Sequence, residues 1–178
     1  MAYLFIDPVK QYVDSIALAW QVLSSGYRPD GIIGLLRGGA VPGMVVHEMH
    51  SMNGTRMPFD FITTEAYNDK RTLNNEIKIR GLAEINVKGK TLLVTDDLWD
   101  TGRTLNEVVA ELLHLGATGV KTAVVYFKPE KNLYPMAPDY YVEKVKGGTW
   151  IVLPHELKDI PAEDLPLHPL YEHFKKGL

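Results

Sequence analysis

Three acids, Asp96, Asp97 and Asp100, crowd into the stretch LLVTDDLWDTGRTL, which runs from Leu92 to Leu105. Ionised carboxylates only accept hydrogen bonds, so the adjacent pair Asp96 and Asp97 suits vicinal hydroxyls or a hydrated Mg2+. The run Asp100–Thr104 offers a different chemistry. Gly102 permits a close turn, the hydroxyls of Thr101 and Thr104 add donors, and successive backbone N–H groups at a helix start attract an anion. A phosphate cradle a few residues from a hydroxyl-binding acid pair points to a sugar phosphate, most simply a ribose 5-phosphate. The plain alternative is a strand end with solvated acids and a capped helix, since Thr104 and Glu107 match the S/T-x-x-E box. The chain has no G-x-x-x-x-G-K-[ST] run and no G-x-G-x-x-G run. Triphosphate hydrolysis and dinucleotide binding are therefore disfavoured.

These residues need elements to hold them. Val9, Val13, Ile16, Ala17, Trp20 and Leu23 fall close to one face of a helix expected over Pro8–Ser24. The apolar run Gly31–Leu36 reads as a parallel strand covered on both faces, and it breaks at Arg37-Gly38-Gly39 before a helical stretch. Further strands are expected at Phe59–Thr64, around EIKIRGL, at Lys90–Thr95, Val120–Phe127 and Asp139–Val145. Leu105, Val108, Val109, Leu112 and Leu113 recur at helix spacing, with Gly116 as the stop. The polar segment Glu65–Glu76 has no period and reads as a long loop, a class that is usually functional or mobile. Strands alternating with helices imply an α/β fold with a mostly parallel twisted sheet flanked by helices. Ligands in such sheets bind beyond the carboxyl ends of the strands, where both the Arg37 and the Asp96–Thr104 segments fall.

The 178 residues suffice for one domain, expected over 1–178. A net charge of −3 with no basic block argues against a nucleic-acid partner, so an anionic ligand must be held by local features. No apolar run is long enough to span a bilayer. The absence of cysteine removes disulfides and thiolate chemistry, and the start MAYLFIDPVKQ lacks a basic n-region. A cytoplasmic protein is expected. The HEMH run at His47–His50 is one residue short of a zinc motif and reads as helix-surface histidines.

LLVTDDLWDTGRT resembles the phosphoribosyl-pyrophosphate signature of type I phosphoribosyltransferases. LLRGGAVPG resembles the pyrophosphate loop of their 6-oxopurine members, and YFKPEKN the base-recognising lysine segment. TWIVLPHE resembles the base-stacking segment of xanthine-guanine phosphoribosyltransferases. This likeness implies the type I phosphoribosyltransferase fold, with a small base-binding hood built from the terminal segments. It also implies transfer of a phosphoribosyl group to N9 of guanine, xanthine or hypoxanthine, with Mg2+ as cofactor and a homo-oligomer as the assembly. Phosphoribosyl pyrophosphate would lie on Arg37, Gly38, Gly39, Asp96, Asp97, Asp100, Thr101, Gly102, Arg103 and Thr104, and the peptide Leu36–Arg37 would be cis. Asp100 and Arg37 would be catalytic, Asp100 by sharing the proton at N7 of the purine. Lys128, a donor only, would select O6 over the adenine amine, while Trp150 stacks on the base and Ile151 offers backbone groups. Asp97 and Glu156 would hold the metal, and Ala66 and Tyr67 would belong to a lid. His155 replaces a tryptophan of the relatives, which leaves the preference at the purine 2-position open. Hypoxanthine-guanine activity with little use of xanthine remains one alternative. A non-catalytic phosphoribosyl-pyrophosphate-binding regulator is another.

Overall fold

The computed structural model describes residues 2–67, 76–156 and 160–177. After β1 (Ala2–Phe5), Asp7 starts the first helix by accepting from the backbone N–H groups of Val9 and Lys10 at 2.9 and 3.0 Å. Pro8 takes the first helical position, where a missing N–H costs nothing. The helix α1 (Pro8–Ser24) leads into β2 (Gly31–Leu36) and α2 (Ala40–Met52). A hairpin of β3 (Phe59–Tyr67) and β4 (Glu76–Arg80) follows, then β5 (Thr91–Trp99), α3 (Arg103–His114), β6 (Gly119–Phe127), β7 (Tyr140–Lys144) and β8 (Thr149–Val152). The terminal segment carries a short α4 (Tyr171–Phe174).

Six strands form one sheet in the order β4-β3-β2-β5-β6-β7, parallel throughout except for the antiparallel β3–β4 pair. β1 and β8 make a separate parallel pair, so segments from the two ends of the chain meet. Successive strand residues serve opposite layers. Ile32 and Leu93 pack with Leu18, Ala19 and Val22 of α1 and with Val45 and Val46 of α2. Ile33, Leu92 and Val94 face the other way, onto Leu105, Val108 and Leu112 of α3. The central strands are therefore buried on both sides, as their nearly continuous apolar sequence requires.

Three expectations need correction, and one lies mostly beyond the described residues. β5 does not stop at Thr95 but continues through Asp96 and Asp97 to Trp99, because its backbone stays paired with β6 as far as Trp99↔Phe127. The segment Glu65–Glu76 is strand at both ends, since Glu65, Ala66 and Tyr67 pair with Lys78, Ile77 and Glu76. This is an edge hairpin whose partners include the exposed ion pair Arg80–Glu65 at 3.2 Å, so no apolar alternation marks it. The lid expected around Ala66 and Tyr67 lies mostly outside the described residues. His50 is fully buried rather than on the helix surface, with Nδ1 2.8 Å from the Val46 carbonyl, and His47 places Nε2 3.1 Å from the Met57 carbonyl.

In α1 the side that meets the sheet is Gln11, Asp14, Ser15, Leu18, Ala19, Val22 and Leu23. Two of its polar members are satisfied locally, while Gln11 Nε2 is buried without a hydrogen-bond partner. Asp14 accepts from Tyr126 Oη at 2.8 Å and pairs with Lys10 at 2.8 Å, and Ser15 Oγ donates to the Gln11 carbonyl at 2.7 Å. The apolar face grouped by its spacing, Val9 to Trp20, points to solvent instead.

Candidate active site

The parallel register sets the centre of the site. Trp99 of β5 lies opposite Phe127 of β6, so the next residues on the two strands, Asp100 and Lys128, emerge side by side. Lys128 is buried and places Nζ 3.5 Å from Asp100 Oδ1, while Lys131, one short turn later, also reaches Asp100 at 3.5 Å. Asp100 Oδ1 is shielded from solvent yet accepts no hydrogen bond. Its acceptor capacity is shared between the two lysines at ion-pair distance and any donor that enters the site.

Beyond Asp100 the chain turns on Gly102, whose φ of 81° suits glycine. Any Cβ there would meet the Trp99 indole and the Asn132 side chain. Those two groups are themselves joined, Trp99 Nε1 donating to Asn132 Oδ1 at 3.0 Å. The expected capping box does not form. α3 begins at Arg103, with Gly102 as its cap residue and no side chain capping it, so Thr104 is already helical. α2 likewise starts after Gly39 without a side-chain cap, whereas α1, away from the site, is capped by Asp7. Two helix starts at the carboxyl edge of the sheet thus lack a capping side chain on the cap residue, although Thr101 Oγ1 accepts from the Arg103 N–H at 3.4 Å. That is the arrangement an anion needs. A cavity of about 80 Å³ sits at the α3 start, lined in part by Asp96, Asp100, Thr101, Gly102, Arg103 and Thr104.

The Arg37 segment closes the opposite side. Leu36–Arg37 is a cis peptide bond. Gly39 N–H donates to the Leu35 carbonyl at 2.7 Å, and Thr95 Oγ1 donates to the Gly39 carbonyl at 3.3 Å. A Cβ on Gly38 would strike the Asp97 carboxylate, and one on Gly39 would strike the Thr95 carbonyl. The two glycines are therefore what lets this loop lie against the tip of β5.

A second cavity, about 320 Å³, is lined by Leu98, Asp100, Lys128, Lys131, Gly147, Gly148, Thr149 and Trp150. It shares Leu98 and Asp100 with the smaller one. Trp150 is half-exposed on its wall, and Ile151 is buried with its backbone in the β1–β8 pair opposite Leu4. Glu156 and Asp97 approach across the site, their oxygens and a His155 nitrogen all within 4.8 Å of one another. Burial and the Glu156 charge push the Asp97 carboxyl up to about 6. Burial and the Asp97 charge drive Asp96 well above the usual carboxylate range. Two hard oxygen donors under mutual repulsion suit a cation such as Mg2+, and His155 adds a nitrogen at the rim.

The structure thus brings together the expected residues of the Arg37, Asp96–Thr104, Lys128, Trp150 and Glu156 segments. Sequence reasoning missed three neighbours. Lys131 joins Lys128 at Asp100, a signal present in the K-x-x-K spacing of a tight turn. Glu130 accepts the Gly147 N–H at 2.9 Å, tying the lysine turn to the loop before Trp150. His155 joins the carboxylate pair, although only its replacement of a tryptophan was noticed.

Residues 8–158 match the phosphoribosyl transferase domain family. Xanthine-guanine phosphoribosyltransferase of Cereibacter sphaeroides is 32% identical over 149 residues, covering 81% of each chain. Hypoxanthine-guanine phosphoribosyltransferase of Streptococcus agalactiae is 31% identical over 109 residues, 61% of this chain and 59% of that relative. The crystal structure of a purine phosphoribosyltransferase from Pyrococcus horikoshii superposes with a TM-score of 0.72 at 29% identity, covering 91% of this chain and 98% of that one. With the doubly covered sheet and the uncapped turn after β5, these matches establish that the chain belongs to the phosphoribosyl transferase domain family.

Proposed function

We propose that the chain transfers the 5-phosphoribosyl group from phosphoribosyl pyrophosphate to N9 of a 6-oxopurine, releasing pyrophosphate and a purine nucleoside monophosphate. In this reading the reaction serves purine salvage in the cytoplasm, and one domain over residues 1–178 carries the whole site. The observation that supports it most is Asp100, whose shielded Oδ1, 3.5 Å from the Lys128 and Lys131 ammonium groups and without a hydrogen bond, stands between the small cavity at a helix start and the larger one lined by Trp150. A nucleotide has its phosphate and base on either side of one sugar, and the two cavities share one wall.

The 5-phosphate is assigned to the backbone and hydroxyls of Thr101–Thr104, and the ribose hydroxyls to Asp96 and Asp97. Arg37, Gly38 and Gly39 take the pyrophosphate, and the base lies against Trp150 with O6 on Lys128 and its edge on the Ile151 backbone. The bond from C1′ to the pyrophosphate oxygen breaks, its electron pair leaving with pyrophosphate, and N9 forms the new bond to C1′. The N7 proton passes to Asp100, so charge on the base does not build up as N9 attacks. The sugar passes through an oxocarbenium-like state, as in glycosyl transfer generally, and no covalent enzyme nucleophile is needed. Positioning and electrostatics carry the rate. Mg2+, when held by Asp97 and Glu156, supplies positive charge to the pyrophosphate as it departs. Phosphoribosyl pyrophosphate and a purine base are the small-molecule partners, and the assembly is a homo-oligomer.

The test is chromatography of a mixture of protein, phosphoribosyl pyrophosphate, Mg2+ and guanine. Guanosine monophosphate and pyrophosphate rising in equal amounts support the transfer. Loss of phosphoribosyl pyrophosphate with no nucleotide formed would overturn it.

A further inference from the structure

The solvent face of α1 is built as an interior face. Val9, Tyr12, Val13, Ile16 and Trp20 are 71, 56, 56, 40 and 62% exposed, and Ala17 between them is also exposed. The only charged side chains of this helix, Lys10 and Asp14, are engaged with each other and with Glu143 and Tyr126. Three polar groups of α1, Gln11, Asp14 and Ser15, are buried beside Leu18, Ala19, Val22 and Leu23, while five large apolar side chains face out. Among the described residues nothing covers that face. An ordinary surface helix carries polar and charged residues on its outer face.

We infer that the exposed face of α1 is the contact between two copies of this chain, packed helix against helix across a two-fold axis. Three features choose this occupant. Val9, Val13, Ile16 and Trp20 follow one another at steps of four, three and four residues, the seam that interlocks with another helix of the same pattern. A two-fold contact needs a patch that is complementary to itself, and an apolar seam with no unpaired charge meets that condition. The five side chains present roughly 500 Å² of surface, the size of the largest patches that monomers expose. Facing one another, two such patches remove roughly 1,000 Å², which is where specific interfaces begin, before any polar rim is counted. Nucleic acid is disfavoured because the face offers no cation. A membrane surface is disfavoured because the flanking lysines and arginines of interfacial helices are missing. The inference is independent of the chemistry proposed for the active site, from which these residues are separate.

Sedimentation of the full chain tests it. The expected result is a dimer at micromolar concentration. Ile16→Glu and Ile16→Lys should each sediment as monomers with an unchanged thermal transition, and mixing the two should restore a dimer through complementary charge. If the substitutions unfold the chain when alone, recovery of a folded dimer on mixing still reads the contact. A wild-type monomer would overturn the inference. A dimer that neither variant dissociates would place the contact on another face and equally overturn this one, while leaving oligomerisation itself intact. A wild-type monomer whose Trp20 emission shifts to the blue with neutral phosphatidylcholine vesicles would assign the face to lipid.

Discussion

Replacing Asp97 by asparagine should stabilise the ligand-free protein while removing its use of Mg2+. Burial and the Glu156 charge hold the Asp97 carboxyl at about 6, against an ordinary 3.8. The sign follows from linkage. A raised folded-state value means that stability is full below the unfolded value, near pH 4, and is lost as pH rises through about 6. Above that, the folded state carries an ionised carboxylate that it disfavours by about 3 kcal/mol, at about 1.4 kcal/mol per unit. The neutral amide of the Asp97→Asn variant would carry no such charge. Thermal unfolding in chelator at about pH 8 should then show a Tm roughly 6–12 °C above wild type, and the gap should shrink toward zero near pH 4. Added Mg2+ should raise the wild-type Tm at the higher pH and leave the variant unmoved, because the cation needs the carboxylate. A variant equally or less stable than wild type at high pH, or a gap that ignores pH, would refute the picture of a repelling acid pair.

Other outcomes follow from the same geometry. Asp100→Asn should lower kcat by roughly 10²–10⁴ with little change in phosphoribosyl-pyrophosphate affinity, measured by steady-state kinetics and direct titration; an unchanged kcat would remove Asp100 from the proton transfer. Gly102→Ala forces a side chain onto the Trp99 indole at a φ of 81° and should cost roughly 2 kcal/mol in denaturant unfolding. Glu130→Ala breaks the hydrogen bond to Gly147 and should raise KM for the purine roughly tenfold while KM for phosphoribosyl pyrophosphate holds; a matched rise in both would make the contact merely structural.

The sheet was legible in the sequence because its central strands are nearly continuous apolar runs between turn residues, and Gly31–Leu36 has the expected ends. The turn after β5 was legible because Gly102 falls between an apolar strand and the helical spacing that begins at Leu105. Other elements left weaker signals. β1 and β8 are four-residue strands that, among the described residues, pair only with each other, from distant parts of the chain, so no local pattern marks them. The capping box at Thr104 is genuine as a pattern, but the cap residue is Gly102, two positions earlier, so Thr104 is already inside the helix. In α1 the spacing of Val9 to Trp20 identified a helix face, yet spacing alone does not tell which side meets the sheet. Asp14 decided that by pairing with Tyr126 and Lys10 inside. Lys131 and Glu130 escaped notice because their partners, Asp100 and Gly147, are neighbours only after β5, β6 and β8 are in place.

The decisive measurement is nucleotide formation from phosphoribosyl pyrophosphate and Mg2+ with guanine, xanthine, hypoxanthine and adenine in parallel. In the proposed site Lys128 would donate to O6 and has nothing to accept from the adenine amine, so turnover is expected with 6-oxopurines and not with adenine. The rank among the three would report how the pocket edge near Ile151 and His155 treats the 2-position. Adenine turned over as well as guanine would contradict the Lys128 assignment. No turnover of any purine by a chain that binds phosphoribosyl pyrophosphate tightly would contradict the transferase itself.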